Sequence, residues 1–141
     1  MTAFMFSGCS SSSTSSDPVV VAIPTNSVKF TITVPATTPA ADKIYIAGAF
    51  KNTAEQWKPD QAKYALTKAA DGTHSITIAL ADLPASFDFK FARGNWDKVE
   101  KAAATATDKC PELDNRNIPS TTAGGKEFKY TITQWADFCA K

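Results

Sequence analysis

The chain has 141 residues, enough for one domain built around a single modest core. Apolar residues make up 43% of it and charged residues 21%, proportions typical of a globular domain rather than a disordered chain. Fifteen Lys and Arg oppose fourteen Asp and Glu, and Arg93 and Arg116 are its two arginines. This balance provides no positive field for nucleic acid or an anionic membrane, so we expect no nucleic-acid partner.

The first nine residues indicate export. Residues 1–6 are mostly apolar, and the FSGC that ends at Cys9 resembles the cleavage box of bacterial lipoproteins. In that box the Cys becomes the new N-terminus and carries lipid. The apolar run is short and has no positive start, so residues 1–9 are interpreted as a truncated signal. We therefore expect lipidation at Cys9 and an exported bacterial lipoprotein, on the periplasmic side of a membrane or at the cell surface.

A Ser-rich stretch follows directly after Cys9. Residues 10–17 read SSSSTSSD, a low-complexity sequence without apolar side chains to bury. We interpret residues 10–26 as a flexible tether that would hold a folded domain off the membrane. The domain itself is predicted to occupy residues 27–141.

Five segments of that domain alternate apolar and polar residues with the period of two expected for β-strands. Pro and Gly residues separate them, and none of the chain shows a sustained helical period. The pattern predicts an all-β fold, an immunoglobulin-like antiparallel β-sandwich of about seven strands. The apolar positions are Val28, Phe30, Ile32 and Val34; Ile44 and Ile46; His74, Ile76, Ile78 and Leu80; Phe87, Phe89 and Phe91; Phe128, Tyr130 and Ile132.

The cysteines that remain after Cys9 form a pair. Cys110 and Cys139 in an exported chain predict a disulfide, which would contribute about 3–4 kcal/mol by closing a loop of about thirty residues. The chain has no C-x-x-C motif, and His74 is its single histidine. We therefore expect no metal ion and no cofactor.

Candidate binding residues follow from the same alternation. Lys90 lies between two inward-facing phenylalanines and must point to the opposite face of its strand. Trp57 and Trp96 lie in hydrophilic loops, where an indole exposed to water is unfavourable unless it packs against another apolar surface. The apolar face of a sugar ring is one candidate, and capping an end of the sandwich core is the alternative for each. Trp135, at the end of the last strand, is interpreted as a packing residue.

The stretch from Val28 to Thr133 resembles the starch-binding carbohydrate-binding modules of family 20. It is also similar to the related glycogen-binding domain of the AMP-activated kinase β subunit. The matching elements occur in that family's order: VKFTITV, IYIAGAF, a Trp before KPDQAKYAL, DGTHSITIAL, FDFKF, a Trp in GNWDKVE, and Asn-Arg at 115–116. FDFKF followed closely by a loop Trp is the most specific of them.

The resemblance implies non-catalytic binding of a starch- or glycogen-type α-glucan. The family's principal sugar site falls here on Trp57, Lys90 and Trp96. The acidic residue beside the second Trp corresponds to Asp97, and the family's Asn before Arg corresponds to Asn115. The sequence departs from the family in two places. The loop that leads to Trp57 lacks a second Gly, and residues 98–115 form a longer segment that carries Cys110.

The sequence leaves two alternatives to sugar binding. Catalysis would need a nucleophile–base pair or paired carboxylates in a cleft, and His74 is better explained as an edge-of-core residue. The other alternative is a lipid-anchored protein–protein interaction module with a degenerate sugar site, whose loop tryptophans dock a partner. A glycan-degrading enzyme is the partner that either interpretation suggests.

Overall fold

A computed structural model describes residues 21–139 of the chain. Nine short strands lie in this range, and the helical structure there consists of single 3-10 turns. The strands are β1 (Ser27–Thr33), β2 (Tyr45–Gly48), β3 (Thr67–Lys68), β4 (His74–Ala79), β5 (Ser86–Ala92), β6 (Glu100–Lys101), β7 (Arg116–Pro119), β8 (Glu127–Thr131) and β9 (Gln134–Trp135). The 3-10 turns are Thr53–Glu55, Ala62–Tyr64, Leu80–Asp82, Trp96–Lys98, Ser120–Thr122 and Ala136–Phe138.

The strands form two facing sheets and a small third one. The first sheet has the order β3-β4-β1-β8, the second β2-β5-β7, and β6 pairs with β9. The prediction of an all-β sandwich is confirmed. The structure refines it in two ways: nine short strands replace about seven, and β1 runs parallel to β8 while the other named pairs are antiparallel.

The core lies between the two larger sheets, where the alternation placed it. Phe30 on β1 contacts Phe89 on β5 edge to face, with ring centroids 5.1 Å apart. Phe87 and Phe91 are also fully buried, so one face of β5 is entirely aromatic. Edge-to-face aromatic pairs are favourable beyond their buried area, which makes this cluster the centre of the fold.

Trp135 is a packing residue, as predicted. It lies on β9, is fully buried, and donates its indole N–H to Thr38 Oγ1 at 2.8 Å. Buried indoles need such an acceptor, because an unpaired N–H in the interior costs free energy. Trp135 therefore belongs to the core and is unavailable for stacking on a ligand.

Two polar residues are more buried than the sequence suggested. Arg93 opens a hydrophilic loop in the sequence, yet it is almost completely buried and paired with Asp42 and Asp137. His74 lies at the core edge as expected, but its Nδ1 has no hydrogen-bond partner in the described part of the chain. Burial is the main cause of the lowered pKa of His74, and the charge of Lys68 adds to it.

The predicted lipid attachment at Cys9 and most of the predicted tether lie outside the described residues. No helix within residues 21–139 has the length and apolar character that a membrane crossing requires.

Candidate functional site

One open groove brings together residues that lie far apart in the sequence. Four of the predicted site residues line it: Trp57, Lys90, Trp96 and Asn115. The groove has a volume of about 400 Å³, which lies within the usual range for binding sites of small ligands. Its remaining lining residues, which the sequence did not single out, are Val99, Lys101 and Glu112.

Trp57 reaches the groove through a strained turn. Its φ of 53° lies in the left-handed region, which bulky residues adopt at a cost of about 1–3 kcal/mol. Trp57 N–H donates to the Gly48 carbonyl at 3.0 Å, and the Gln56 side chain donates to the Phe50 carbonyl at 2.7 Å. These bonds on both sides of the turn hold the backbone in a conformation that it would otherwise leave.

Contacts with the rest of the sandwich also fix the loop around Trp57. Gly48 ends β2 in very close contact with β5, since a Cβ there would lie 2.5 Å from the Asp88 carbonyl oxygen. Further along, Tyr64 donates its hydroxyl to Glu55 at 2.6 Å, which together with burial raises the pKa of Tyr64 to about 12. Burial is the larger of these two causes. The turn that carries Trp57 is therefore attached to the sandwich at both ends.

Trp96 lies on a tight turn that follows β5. Gly94, at a φ of 85°, provides the left-handed residue that the turn requires. Arg93 N–H then bonds the Lys98 carbonyl at 3.1 Å and closes the loop. Trp96 is 42% exposed, so it is not enclosed within the core. The buried ion pairs of Arg93 fix the base of this turn.

Lys90 and Asn115 approach the groove from the outer face of the second sheet. Lys90 pairs with Ala47 in the β2–β5 register, and Ala47 is fully buried although it lies on the outer face. Neighbouring side chains therefore cover β2 at Ala47, although this residue faces away from the core. Asn117 pairs with Asp88 on the same face, and alternation along the chain places Asn115 on that side too.

A single buried carboxylate connects the strands that carry these polar groups. Glu100 accepts from the Phe91 backbone N–H at 2.9 Å and from the Arg116 guanidinium at 2.7 Å. Each of these residues adjoins a groove residue in the sequence: Phe91 follows Lys90, and Arg116 follows Asn115. Glu100 itself precedes Lys101, so one carboxylate sets the relative positions of three groove side chains.

Part of the groove wall comes from the long segment between β6 and β7, which carries Glu112 and Asn115. Its two arms meet where Ala102 N–H bonds the Pro111 carbonyl at 3.1 Å. Gln134 donates to the Ala102 carbonyl at 2.6 Å and to the Lys109 carbonyl at 3.2 Å, so β9 holds both arms. The predicted disulfide between Cys110 and Cys139 is present and attaches the segment to the last turn of the described chain.

Glu112 and Lys101 form an ion pair on this wall. The side chain of Lys101 is 12% exposed and that of Glu112 is 75% exposed, so the lysine is the buried partner. The hydrogen bond from Lys101 is the main reason that the pKa of Glu112 is lowered, and the charges of Lys101 and Lys90 act in the same direction. The carboxylate is therefore held ionised at the mouth of the groove.

The remaining predicted site residue lies to one side. Asp97 is exposed on the Trp96–Lys98 turn and does not line the groove. Val99, Lys101 and Glu112 were missed because their place in the groove depends on long-range pairing. The one sequence feature that points to them is Cys110, which marks the long segment as fixed. Within residues 21–139 no cluster of three or more His, Cys, Asp or Glu could hold a metal ion.

A larger depression of about 580 Å³ lies on the outer face of the other sheet. Hydroxyl and charged side chains line most of it, including Thr31, Thr73 and Glu127. Tyr130, its one aromatic lining residue, also packs against Phe89 in the core at 5.7 Å. The smaller groove, with two indoles, has the stronger features of a ligand site.

Sequence comparison shows what a chain with this fold and groove is similar to. It is 35% identical over 115 residues to an alpha-amylase of Niallia circulans, covering 79% of this chain and 8% of the relative. It is 36% identical over 112 residues to an amylopullulanase of Thermoanaerobacter thermohydrosulfuricus, covering 78% and 7%. It is 35% identical over 112 residues to an amylopullulanase of Thermoanaerobacterium thermosulfurigenes, covering 78% and 5%.

The chain thus spans less than a tenth of the length of these curated relatives. No family model matches it, and no solved structure matches it. The similarity is therefore to one short segment of much larger enzymes.

Proposed function

We propose that this domain binds an α-glucan of the starch or glycogen type without cleaving it. The observation that carries the proposal is the convergence of Trp57, Lys90, Trp96 and Asn115 on one groove. The similarity to segments of an alpha-amylase and two amylopullulanases supports a carbohydrate ligand. A segment that makes up less than a tenth of such enzymes fits a non-catalytic domain.

Each of these four residues has a role in the proposed mechanism. The indoles of Trp57 and Trp96 stack on the apolar C–H faces of glucose units, each contact contributing about 0.5–1.5 kcal/mol beyond burial. Lys90 donates to neighbouring sugar hydroxyls, and the Asn115 amide both donates and accepts. Such a small set of contacts corresponds to dissociation constants of about 10 μM to 1 mM. Because the glucose unit repeats along a polymer, a polysaccharide offers many binding positions and the effective affinity rises.

The charge of the groove argues against hydrolysis as its function. Glycoside hydrolysis uses two carboxyl groups on either side of the scissile bond. Glu112 is the single carboxylate among the seven residues that line the groove, and it is paired with Lys101. The proposal is therefore for binding alone, with a glycan-degrading enzyme as the partner that would use the bound polymer.

Affinity electrophoresis in gels that contain amylopectin or glycogen tests the proposal. The wild type is expected to be retarded, and Trp57→Ala, Trp96→Ala and Lys90→Ala should each lose most of that retardation. Lys129→Ala is the matched control for Lys90→Ala, because Lys129 is an exposed lysine on the other sheet. An unretarded wild type, or retardation unchanged in both tryptophan variants, would replace the glucan proposal with the interaction-module alternative.

We also propose that the chain is an exported lipoprotein attached to a membrane through Cys9. Support comes from the FSGC sequence and from the Cys110–Cys139 disulfide, since disulfides persist in oxidising compartments outside the cytosol. Labelling of the host cells with radioactive palmitate should mark the wild type and leave Cys9→Ser unlabelled. Equal labelling of the two proteins, or none in the wild type, would overturn this attachment.

A further inference from the structure

The groove offers sugar hydroxyls several hydrogen-bond donors but few side-chain acceptors. Lys90 and Lys101 are ammonium groups, which donate and cannot accept. A sugar hydroxyl, however, both donates and accepts, and each buried hydroxyl proton needs an acceptor on the protein. Apart from the Asn115 side-chain oxygen, the side-chain acceptor among the groove residues is the Glu112 carboxylate.

Glu112 has acceptor capacity to spare. Lys101 binds its Oε1 atom, whereas a carboxylate offers about four lone-pair positions on two oxygens. The side chain remains largely exposed at the groove mouth, so a ligand reaches it without displacing protein atoms. Ionised acceptors form hydrogen bonds about twice as strong as those of neutral groups.

The position of Glu112 is also fixed before any ligand arrives. It lies two residues after Cys110, which the disulfide attaches to Cys139. The neighbouring Pro111 carbonyl accepts from Ala102 N–H, and the Lys101 ammonium holds the carboxylate itself. A preorganised acceptor loses little conformational entropy on binding, unlike an ordinary exposed glutamate.

We infer that Glu112 is a sugar-contacting residue, and that the disulfide-held segment 102–115 is a specificity-determining wall of the glucan groove. The inference rests on the proposed function and deepens it. Glu112 accepts hydrogen bonds from hydroxyl groups of the glucose unit next to Lys90, while Lys101 orients the carboxylate. The ligand is therefore contacted both by the two indoles and by the charged Lys101–Glu112 pair.

Isothermal titration with maltoheptaose tests this assignment in the disulfide-bonded protein. Glu112→Ala should weaken binding by about tenfold, as expected for loss of a hydrogen bond to a charged acceptor. Glu112→Gln should weaken it less, because the amide keeps one acceptor oxygen. Asp114→Asn is the matched control, an exposed acid on the same segment that does not line the groove, and it should bind like the wild type. Thermal unfolding of every variant shows whether the fold is retained.

A second measurement identifies the hydrogen bond. Methyl maltoside analogues that carry fluorine in place of a single hydroxyl cannot donate a hydrogen bond from that position. For the hydroxyl that Glu112 accepts from, the affinity difference between wild type and Glu112→Ala should shrink. If the Glu112 variants bind maltoheptaose like the wild type while Trp96→Ala does not, this inference is wrong and the proposed function stands. If the wild type itself fails to bind, both are wrong.

Discussion

The Arg116 guanidinium and the Glu100 carboxylate form a largely buried ion pair, and each residue is adjacent in the sequence to a residue that lines the groove. Arg116 Nη2 lies 2.7 Å and Nε 3.0 Å from Glu100 Oε2, and Glu100 is 1% exposed. The guanidinium also lies 4.7 Å above the Tyr130 ring. The pair thus connects β6 and β7, the two strands that bound the wall carrying Glu112.

Removing the charge of Glu100 should destabilise the fold strongly. Glu100→Gln leaves the Arg116 charge unpaired in a largely buried position, at a cost of about 3 kcal/mol. Urea unfolding measures this cost directly. The double variant Glu100→Leu, Arg116→Met should be more stable than Glu100→Gln, since it buries no unpaired charge. A double variant no more stable than the single one would show that the pair is not the source of the effect.

The left-handed backbone at Trp57 gives an unusual order of stability. Glycine adopts a positive φ without strain and alanine does not, so Trp57→Gly should unfold at higher urea than Trp57→Ala, by about 1 kcal/mol. Both variants lack the indole, so both should lose glucan retardation equally. The usual order, with alanine the more stable, would mean that the turn is not left-handed in solution.

Opening the Cys110–Cys139 disulfide should affect both stability and binding. In the chain-entropy account its loss removes about 3–4 kcal/mol for a separation of 29 residues. The segment that carries Glu112 and Asn115 then also loses its attachment to the last turn, which should weaken maltoheptaose binding. Chemical denaturation and titration of Cys110→Ser, Cys139→Ser would measure the two losses. Addition of a reductant to this variant serves as the control and should change nothing.

His74 should make the protein less stable in mild acid. Burial, and secondarily the charge of Lys68, lowers the pKa of His74 below its ordinary value of 6.5. The unfolded chain therefore binds a proton at a higher pH than the folded chain does. Stability should fall as the pH drops below 6.5, with a slope of at most about 1.4 kcal/mol per pH unit from this residue.

The comparison with His74→Phe isolates that contribution. Phenylalanine fills the same edge-of-core position and does not titrate. The stability difference between wild type and variant should change between pH 7.5 and 5.5 in favour of the variant. A difference that stays constant over this range would contradict the lowered pKa.

The strand faces could be predicted from local pattern, because a strand alternates its side chains whatever its neighbours are. Phe87, Phe89 and Phe91 show the strict period of two, and all three are buried. The two-residue strands β6 and β9 have no room for a period. They exist because Glu100 pairs with Trp135 across a long sequence separation, which local pattern does not encode.

The burial of charged side chains could not be predicted from the sequence either. Arg93 and Glu100 resemble surface residues in composition and local context, and each is buried because partners arrive from distant segments. A charge is tolerated in the interior only with such a partner, so its burial follows from the tertiary fold.

For the groove, the sequence by itself determined that Lys90 faces outward and that Trp57 and Trp96 lie in hydrophilic loops. These are consequences of alternation and of local composition. The family resemblance added Asn115 to this group, and the tertiary structure brings the four residues to one groove and adds Val99, Lys101 and Glu112 to its lining. The physical reason is that convergence depends on long-range strand pairing, the Glu100 ion pair and the disulfide, each of which joins segments with no local relation in the chain.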